Sequence, residues 1–279
     1  MTDYFLITRF NLPLYKTDKE SNPVLTDEWL SDRFRLFETY CIPSVQGQTY
    51  KNFKWLVLLS DSTPKPYRDR MSHLATNTDC LTPIYIKEDD AHRHGDIVKE
   101  KIKEMKSQSP LLVTMRIDND DAIRHNFIER ITNLAEKQAV ARSGYSFVYG
   151  MQYHECANLA MRVPYPNNHF IFEINTQYNS DDFDTIIDYN HYFPEKMNFP
   201  FHTVKCNDVM WAEVIHGRNV DNDVMGTLHQ YPIFSRHLLT KGFGWNRELK
   251  WWNTLWQLPK YLLPAAIHHA VVRLKQKTT

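Results

Sequence analysis

The first apolar run of the chain, "YFLITRFNL", is short and rich in β-branched and aromatic residues, and it predicts a strand. After a polar loop, "TDEWLSDRFRLFETYCIPSV" sets Trp29, Leu30, Phe34, Phe37, Tyr40 and Cys41 at helical spacing. Thr26 is its candidate N-cap, with Asp27 and Glu28 in the first turn. Pro43 is expected to end or kink this helix, because it has no N–H to donate. "FKWLVLLSD" is a second strand closing on Asp61, and "STPKPYRDRMSHLAT" a turn leading into a helix. "TPIYIKED" is a third strand, ending in Glu88, Asp89 and Asp90. "HGDIVKEKIKEMKSQ" reads as a helix with outward charges, and "PLLVTMRID" as a fourth strand. "DAIRHNFIERITNLAEKQA" predicts an amphipathic helix from Ala122, with Ile123, Phe127, Ile131, Leu134 and Ala135 inward.

This alternation predicts an α/β fold with a mostly parallel central sheet covered by helices. Three strands deliver polar clusters at their carboxyl ends, the edge where open α/β sheets bind ligands. The pattern then changes. "YSFVYGMQYHECANLAMRVPYPNNHFIFEINTQ" reads as β-hairpins, with turn residues at Pro164, Pro166, Asn167 and Asn168.

Composition narrows the classes. At 279 residues the chain is long enough for one large domain or two small ones. Its 33 basic and 33 acidic side chains give no net charge, so no basic field favours nucleic acid. No signal peptide or membrane-length apolar run is visible, which predicts a cytoplasmic protein. Cys41, Cys80, Cys156 and Cys206 are scattered and read as reduced thiols, not as a disulfide frame or zinc site.

The stretch "LLVTMRIDNDDAI" runs from an apolar segment into Asp118, Asp120 and Asp121. Two carboxylates about 4 Å apart repel by roughly 4 kcal/mol at an effective dielectric near 20, so something must compensate them. Water, helix N-terminal amides and a divalent cation are the candidates. Alternation along an extended backbone puts Asp118 and Asp120 on one side, whereas Asp121 suits the cap of a helix beginning at Ala122.

"SVQGQTYKNFKWLVLLSDSTPKPY" resembles the opening motif of family 2-type glycosyltransferases, and "RIDNDDAI" is similar to the acidic metal motif of their GT-A fold. Together with "TRFNL" and "MWAEVIHGRNV", the sequence most closely resembles the putative rhamnosyltransferase family over roughly residues 1 to 235. The turn "SDSTPKPY" departs from the usual "DDGS", lacking its second Asp and its Gly.

The resemblance implies a GT-A-type, Rossmann-like domain over residues 1–240 with a smaller β-hairpin acceptor region. An aromatic-rich helical extension follows over 241–279. It implies transfer of a sugar, rhamnose from a dTDP-activated donor, to a glycan or lipid-linked acceptor with inversion. Mn²⁺ or Mg²⁺ would offset the leaving diphosphate. In that reading Asp120 and His216 hold the metal, and Asp118 and Asn119 meet the nucleotide sugar with Thr8, Arg9, Asp61 and Arg93. Asp208, expected at the start of a helix, is the favoured general base and Glu213 its alternative, while Trp211 would offer a ring face to the acceptor. Each residue has a plainer reading: a solvated acidic turn, an N-cap, a surface ion pair or core packing.

"WWNTLWQLPKYLLPAAIHHAVVRLKQKTT" sets Trp251, Trp252, Trp256 and Tyr261 before an apolar stretch with Arg273, Lys275 and Lys277 near its end. That pattern suits either peripheral contact with a bilayer interface or a helix docked on protein. Two rivals to the enzyme reading are a sugar nucleotidyltransferase and a non-catalytic carbohydrate-binding scaffold. The first would call for a Gly-rich phosphate loop with a basic residue, which "TRFNLPLYK" lacks.

Overall fold

The protein's structure is a computed structural model that describes residues 3–14, 17, 23–138, 140–191, 193–216 and 230–257. Four strands arrive as the apolar runs predict: β1 (Tyr4–Arg9), β2 (Lys54–Ser60), β3 (Leu81–Ile86) and β4 (Leu112–Arg116). All pair in parallel, in the order β4-β1-β2-β3. Their side chains alternate between two cores. Leu6, Trp55, Val57 and Val113 face one, and Phe5, Ile7, Leu56 and Leu58 face the other. A strand buried on both faces reads as an unbroken apolar run, which is why β1, β2 and β4 stand out in the sequence, whereas the edge strand β3 leaves Tyr85 exposed.

Helices cover both faces. Helix α1 (Asp27–Leu36) starts at Thr26, whose side chain accepts from the Trp29 N–H. It then widens into a π turn over Phe37–Cys41, where the Ile42 N–H reaches the Phe37 carbonyl, and continues as α2 (Ile42–Gln46). Pro43 therefore lies within the helical segment, which ends three residues later at Gln46. Helices α3 (Lys65–Thr76) and α4 (His94–Met105) follow β2 and β3.

Residues Ala122–Ile123 form a short strand, β5, and helix α5 (Phe127–Ala135) begins five residues later than expected. Gln48 explains the late start. Its buried amide donates to the Ser44 and Arg124 carbonyls and accepts from the Ile128 N–H, an orphan donor of the first turn of α5. The helix is capped from 80 residues away, so no local capping signal marks its start.

The second half supplies β6 (Arg142–Phe147), β7 (Tyr149–His154), β8 (Leu159–Pro164), β9 (Phe172–Asn175), β10 (Phe201–Val204), β11 (Trp211–Ile215) and β12 (Tyr231–Pro232). Only β7 and β8 form the expected kind of hairpin. Strand β9 instead inserts antiparallel between β4 and β6, extending the main sheet to β10-β6-β9-β4-β1-β2-β3. The others build a second sheet, β12-β8-β7-β11-β5. The chain passes between the sheets within the single residue Val148, a route no local pattern announces.

The segment expected to be a helix from Asp208 is β11, and its alternation sends Trp211 and Glu213 to one face and Ala212 and Val214 to the other. Gly150 makes room for Trp211: a Cβ there would lie 2.0 Å from the indole. Past residue 240, Phe243, Trp245 and Leu249 pack with Leu36, Tyr40 and Tyr153. The Trp245 indole donates to the Tyr40 carbonyl at 2.9 Å. These first residues of the expected extension thus share a core with α1 and the second sheet. Residues 217–229 and 258–279 lie outside the described residues, and with them Tyr261 and the expected terminal helix.

Candidate active site

In the main sheet the chain adds β2 and β3 on one side of β1, then returns to place β4 on the other. The order reverses between β1 and β4, and a crevice at such a switch point is where open α/β sheets take ligands. The carboxyl end of β1 carries Arg9, and that of β4 carries Arg116 followed by Asp118. Because β9 is antiparallel to β4, the segment entering it comes in at this same edge, bringing His169. Strand β11 ends nearby with His216.

These residues form two linked groups. In the first, the Asp118, Asp121 and His169 ligand atoms all lie within 4.8 Å of one another. His169 Nε2 is 2.6 Å from Asp121 Oδ2, and the other Asp121 oxygen accepts from the Val214 N–H at 3.0 Å. Arg116 donates to both Asp118 oxygens at 3.2 Å. In the second, Asp120 Oδ2 accepts from Arg33 at 2.5 Å and lies 3.0 Å from His216 Nε2. Arg33 also reaches Asn119 Oδ1 at 3.3 Å.

Charge balance follows from this geometry. Burial alone would raise the Asp118 pKa, but Arg116, His169 and Arg9 overcome it and bring it down to about 2. Asp120 is likewise held well below the usual range, its burial outweighed by Arg33 and His216. Asp121 behaves oppositely: burial pushes it up to about 7, with Asp120 and Glu213 adding to the rise and His169 opposing it. Burial would lower His169, but Asp121, Asp118 and Glu213 raise it to about 9. Burial of Asp121 and the acids around His169 thus both favour a proton, or another positive charge, on this pair. Two carboxylate oxygens and an imidazole nitrogen at that place suit a divalent cation, Mn²⁺ better than Mg²⁺ because of the nitrogen.

The expected site residues distribute unevenly. Arg9, Asp118, Asp120, Glu213 and His216 meet in this region. Glu213 is buried and accepts from Gln152 at 2.7 Å; burial raises its pKa, and Asp120 and Asp118 add to that. Asp120 and His216 are brought together, but Arg33 shares the oxygen they share. Asn119 uses both ends of its amide inside the protein, donating to the Phe10 carbonyl at 2.7 Å and accepting from Arg33. Asp121 caps no helix, since strand β5 follows it.

Three expectations are corrected. Thr8 points into the core, where its hydroxyl accepts from the Trp55 indole at 2.9 Å. Trp211 is fully buried, stacked on Phe170 and donating to the Phe147 carbonyl, so it offers no face to a sugar. Asp208 precedes β11 rather than starting a helix, clamped by Arg130 at 3.1 Å and Arg124 at 3.5 Å. The five residues of β11 span about 16 Å at ~3.3 Å each, so Asp208 and His216 occupy opposite ends of that strand. Asp61 is exposed at the end of β2, and Arg93 is exposed beside Asp90 and Asp96 at 3.7 and 3.6 Å.

His169, Arg33 and Arg116 were not legible as site residues. Arg116 adjoins the acidic motif, a signal that could have been used. His169 is one of 13 histidines and Arg33 lies on a helix, so only tertiary structure joins them to acids 48 and 87 residues away.

Residues 3–228 match the family model described as "Putative rhamnosyl transferase". The chain belongs to that family. No curated protein sequence matches it. Among solved structures, S. aureus TarS residues 1–349 matches with a TM-score of 0.34 at 10% identity, covering 53% of this chain and 36% of that one. Its complex with UDP gives 0.34 at 11%, again over 53% and 36%, and its complex with UDP-GlcNAc 0.32 at 11%, over 53% and 34%. The match thus spans about a third of that neighbour's length. Similarity at this level leaves substrate and site to be argued from the family and from this chain's own residues.

Proposed function

We propose that this member of the family transfers a sugar, rhamnose by the family's description, from a nucleoside-diphosphate donor to a glycan or lipid-linked acceptor, with inversion and with a divalent metal. The observation that carries the reading is the Asp118–Asp121–His169 cluster at the β1/β4 switch point, inside the matched segment. Those three residues would hold the cation, which when bound offsets the charge growing on the leaving diphosphate. Arg9 and Arg116, beside Asp118, are the chain's own cations for the phosphates. Asp120 stays ionised under Arg33 and His216 and fixes that pair at the rim of the cluster.

Inversion is one displacement: the acceptor oxygen bonds to the sugar's anomeric carbon while the bond to diphosphate breaks, and a base takes the acceptor proton. Glu213 supports that role better than Asp208, because its pKa is raised by burial among the site's acids and its hydrogen-bond partner Gln152 is neutral. Asp208 is neutralised by two arginines at the far end of β11.

The test is turnover of dTDP-rhamnose, UDP-GlcNAc and GDP-mannose, with Mn²⁺, with Mg²⁺ and with EDTA. Metal-dependent consumption of one donor supports the reading, and indifference to all three favours a non-catalytic scaffold. A metal-independent variant of the reading rests on Arg9 and Arg116: full turnover in EDTA would assign the diphosphate to them.

A further inference from the structure

Four of the seven tryptophans, Trp29, Trp55, Trp211 and Trp245, are buried. The other three crowd onto the helical residues 251–257, where Trp251, Trp252 and Trp256 are 57%, 48% and 80% exposed and Leu255 is 52% exposed. At ~100° per residue these four positions share an arc of about 140°, while Thr254 on the other side of the helix is buried. The helix is not a loose tail at its start, because Trp245 and Leu249 just before it are built into the core with Tyr40 and Tyr153. An aromatic face is thus held outward by a rigid base.

Charge says what should cover it. Glu248 is the last acid of the chain. Residues 249–279 hold five basic side chains, Lys250, Lys260, Arg273, Lys275 and Lys277, and no Asp or Glu, in a protein of zero net charge. A second copy of this surface would bring two such basic segments together and repel. An anionic lipid surface attracts them, and indole is the side chain that favours the bilayer–water boundary, with an apolar ring and a polar N–H. No described helix is long and apolar enough to cross a membrane.

We propose that the Trp251/Trp252/Leu255/Trp256 face, with Lys250 just before it, docks this protein on an anionic bilayer surface. The inference does not depend on the sugar-transfer reading, and neither does its test. The full chain is pelleted with phosphatidylcholine vesicles, with and without phosphatidylglycerol, at low and high salt, and its fluorescence is read with brominated acyl chains.

Binding that requires phosphatidylglycerol, weakens in high salt and brings quenching by bromine is the expected result. W251A/W252A/W256A should abolish pelleting and quenching while keeping the parent's melting temperature. Lys250→Glu, which keeps the aromatic face, should weaken partition roughly tenfold. The proposal fails if the parent does not pellet with anionic vesicles or if the triple variant pellets equally. It fails too if sedimentation without lipid shows a dimer that shields these indoles from an aqueous quencher.

Discussion

Arg33 Nη1 lies 2.5 Å from Asp120 Oδ2, with both side chains buried and 87 residues between them in sequence. This pair pins helix α1 to the acidic loop, so the loop's shape depends on a residue far outside the motif. Removing the cation would strand a buried carboxylate. Arg33→Ala should therefore cost about 3–5 kcal/mol in urea unfolding. R33A/D120N should recover much of it, because the neutral amide no longer needs a counter-charge. A loss of less than about 1 kcal/mol would mean that the pair is solvated.

Asp121→Ala and His169→Ala should each remove metal-dependent nucleotide binding, since each deletes one of the three convergent donor atoms. The check is thermal shift with Mn²⁺ plus nucleoside diphosphate. The parent should rise in melting temperature only when both are present, and the variants should not respond. An unchanged response in His169→Ala would remove His169 from the metal set.

Glu213→Gln and Asp208→Asn separate the two candidate bases. Loss of a positioned base lowers turnover by roughly 10²–10⁴-fold while leaving donor binding intact. That pattern is expected for Glu213→Gln, with Asp208→Asn within about threefold of the parent, as an arginine-clamped carboxylate away from the chemistry would be. The reverse pattern in initial-rate kinetics would restore Asp208.

His154 gives a pH prediction away from the cluster. It is buried on β7, and burial lowers its pKa from 6.5 to about 4. The folded state thus binds fewer protons than the unfolded chain between those values, so stability falls as pH drops from about 6.5 toward 4. A full shift of this size is worth on the order of 3 kcal/mol. Asp118 acts in the same direction but only below its ordinary value of 3.8, so the two windows separate. Asp121, raised by burial, acts oppositely over the same window, so the readout is the difference between proteins: urea unfolding at pH 7, 5.5 and 4.5 should show the parent losing stability relative to His154→Phe as pH falls.

Gln48→Ala should cost about 1–3 kcal/mol, because it leaves the Ile128 N–H and two carbonyls without their partner in a buried place. Exchange of the Ile128 amide hydrogen should speed up more than that of amides in β1. Equal protection at both would show that Gln48 does not cap α5.

Local pattern was enough for the parallel half of the protein. The runs around Ile7, Leu58 and Val113 are buried on both faces, and that burial leaves a mark in consecutive residues. Acids at the carboxyl ends of strands were legible for the same reason, as was the family from its motifs. Strand and helix were confused at Ala122 and Asp208. Both segments are apolar, short and flanked by charge, and their pairing partners, β11 and β7, lie far along the chain. Only the tertiary structure decided that His169 meets Asp121 and that Arg33 meets Asp120. Those contacts arise because β9 runs antiparallel beside β4 and because α1 carries Arg33 to the loop after β4, and neither relation has a period in sequence. It also decided which aromatic residues are core: Trp211 and Trp251 are the same side chain, and a glycine opposite one buries it while nothing in the described fold covers the other.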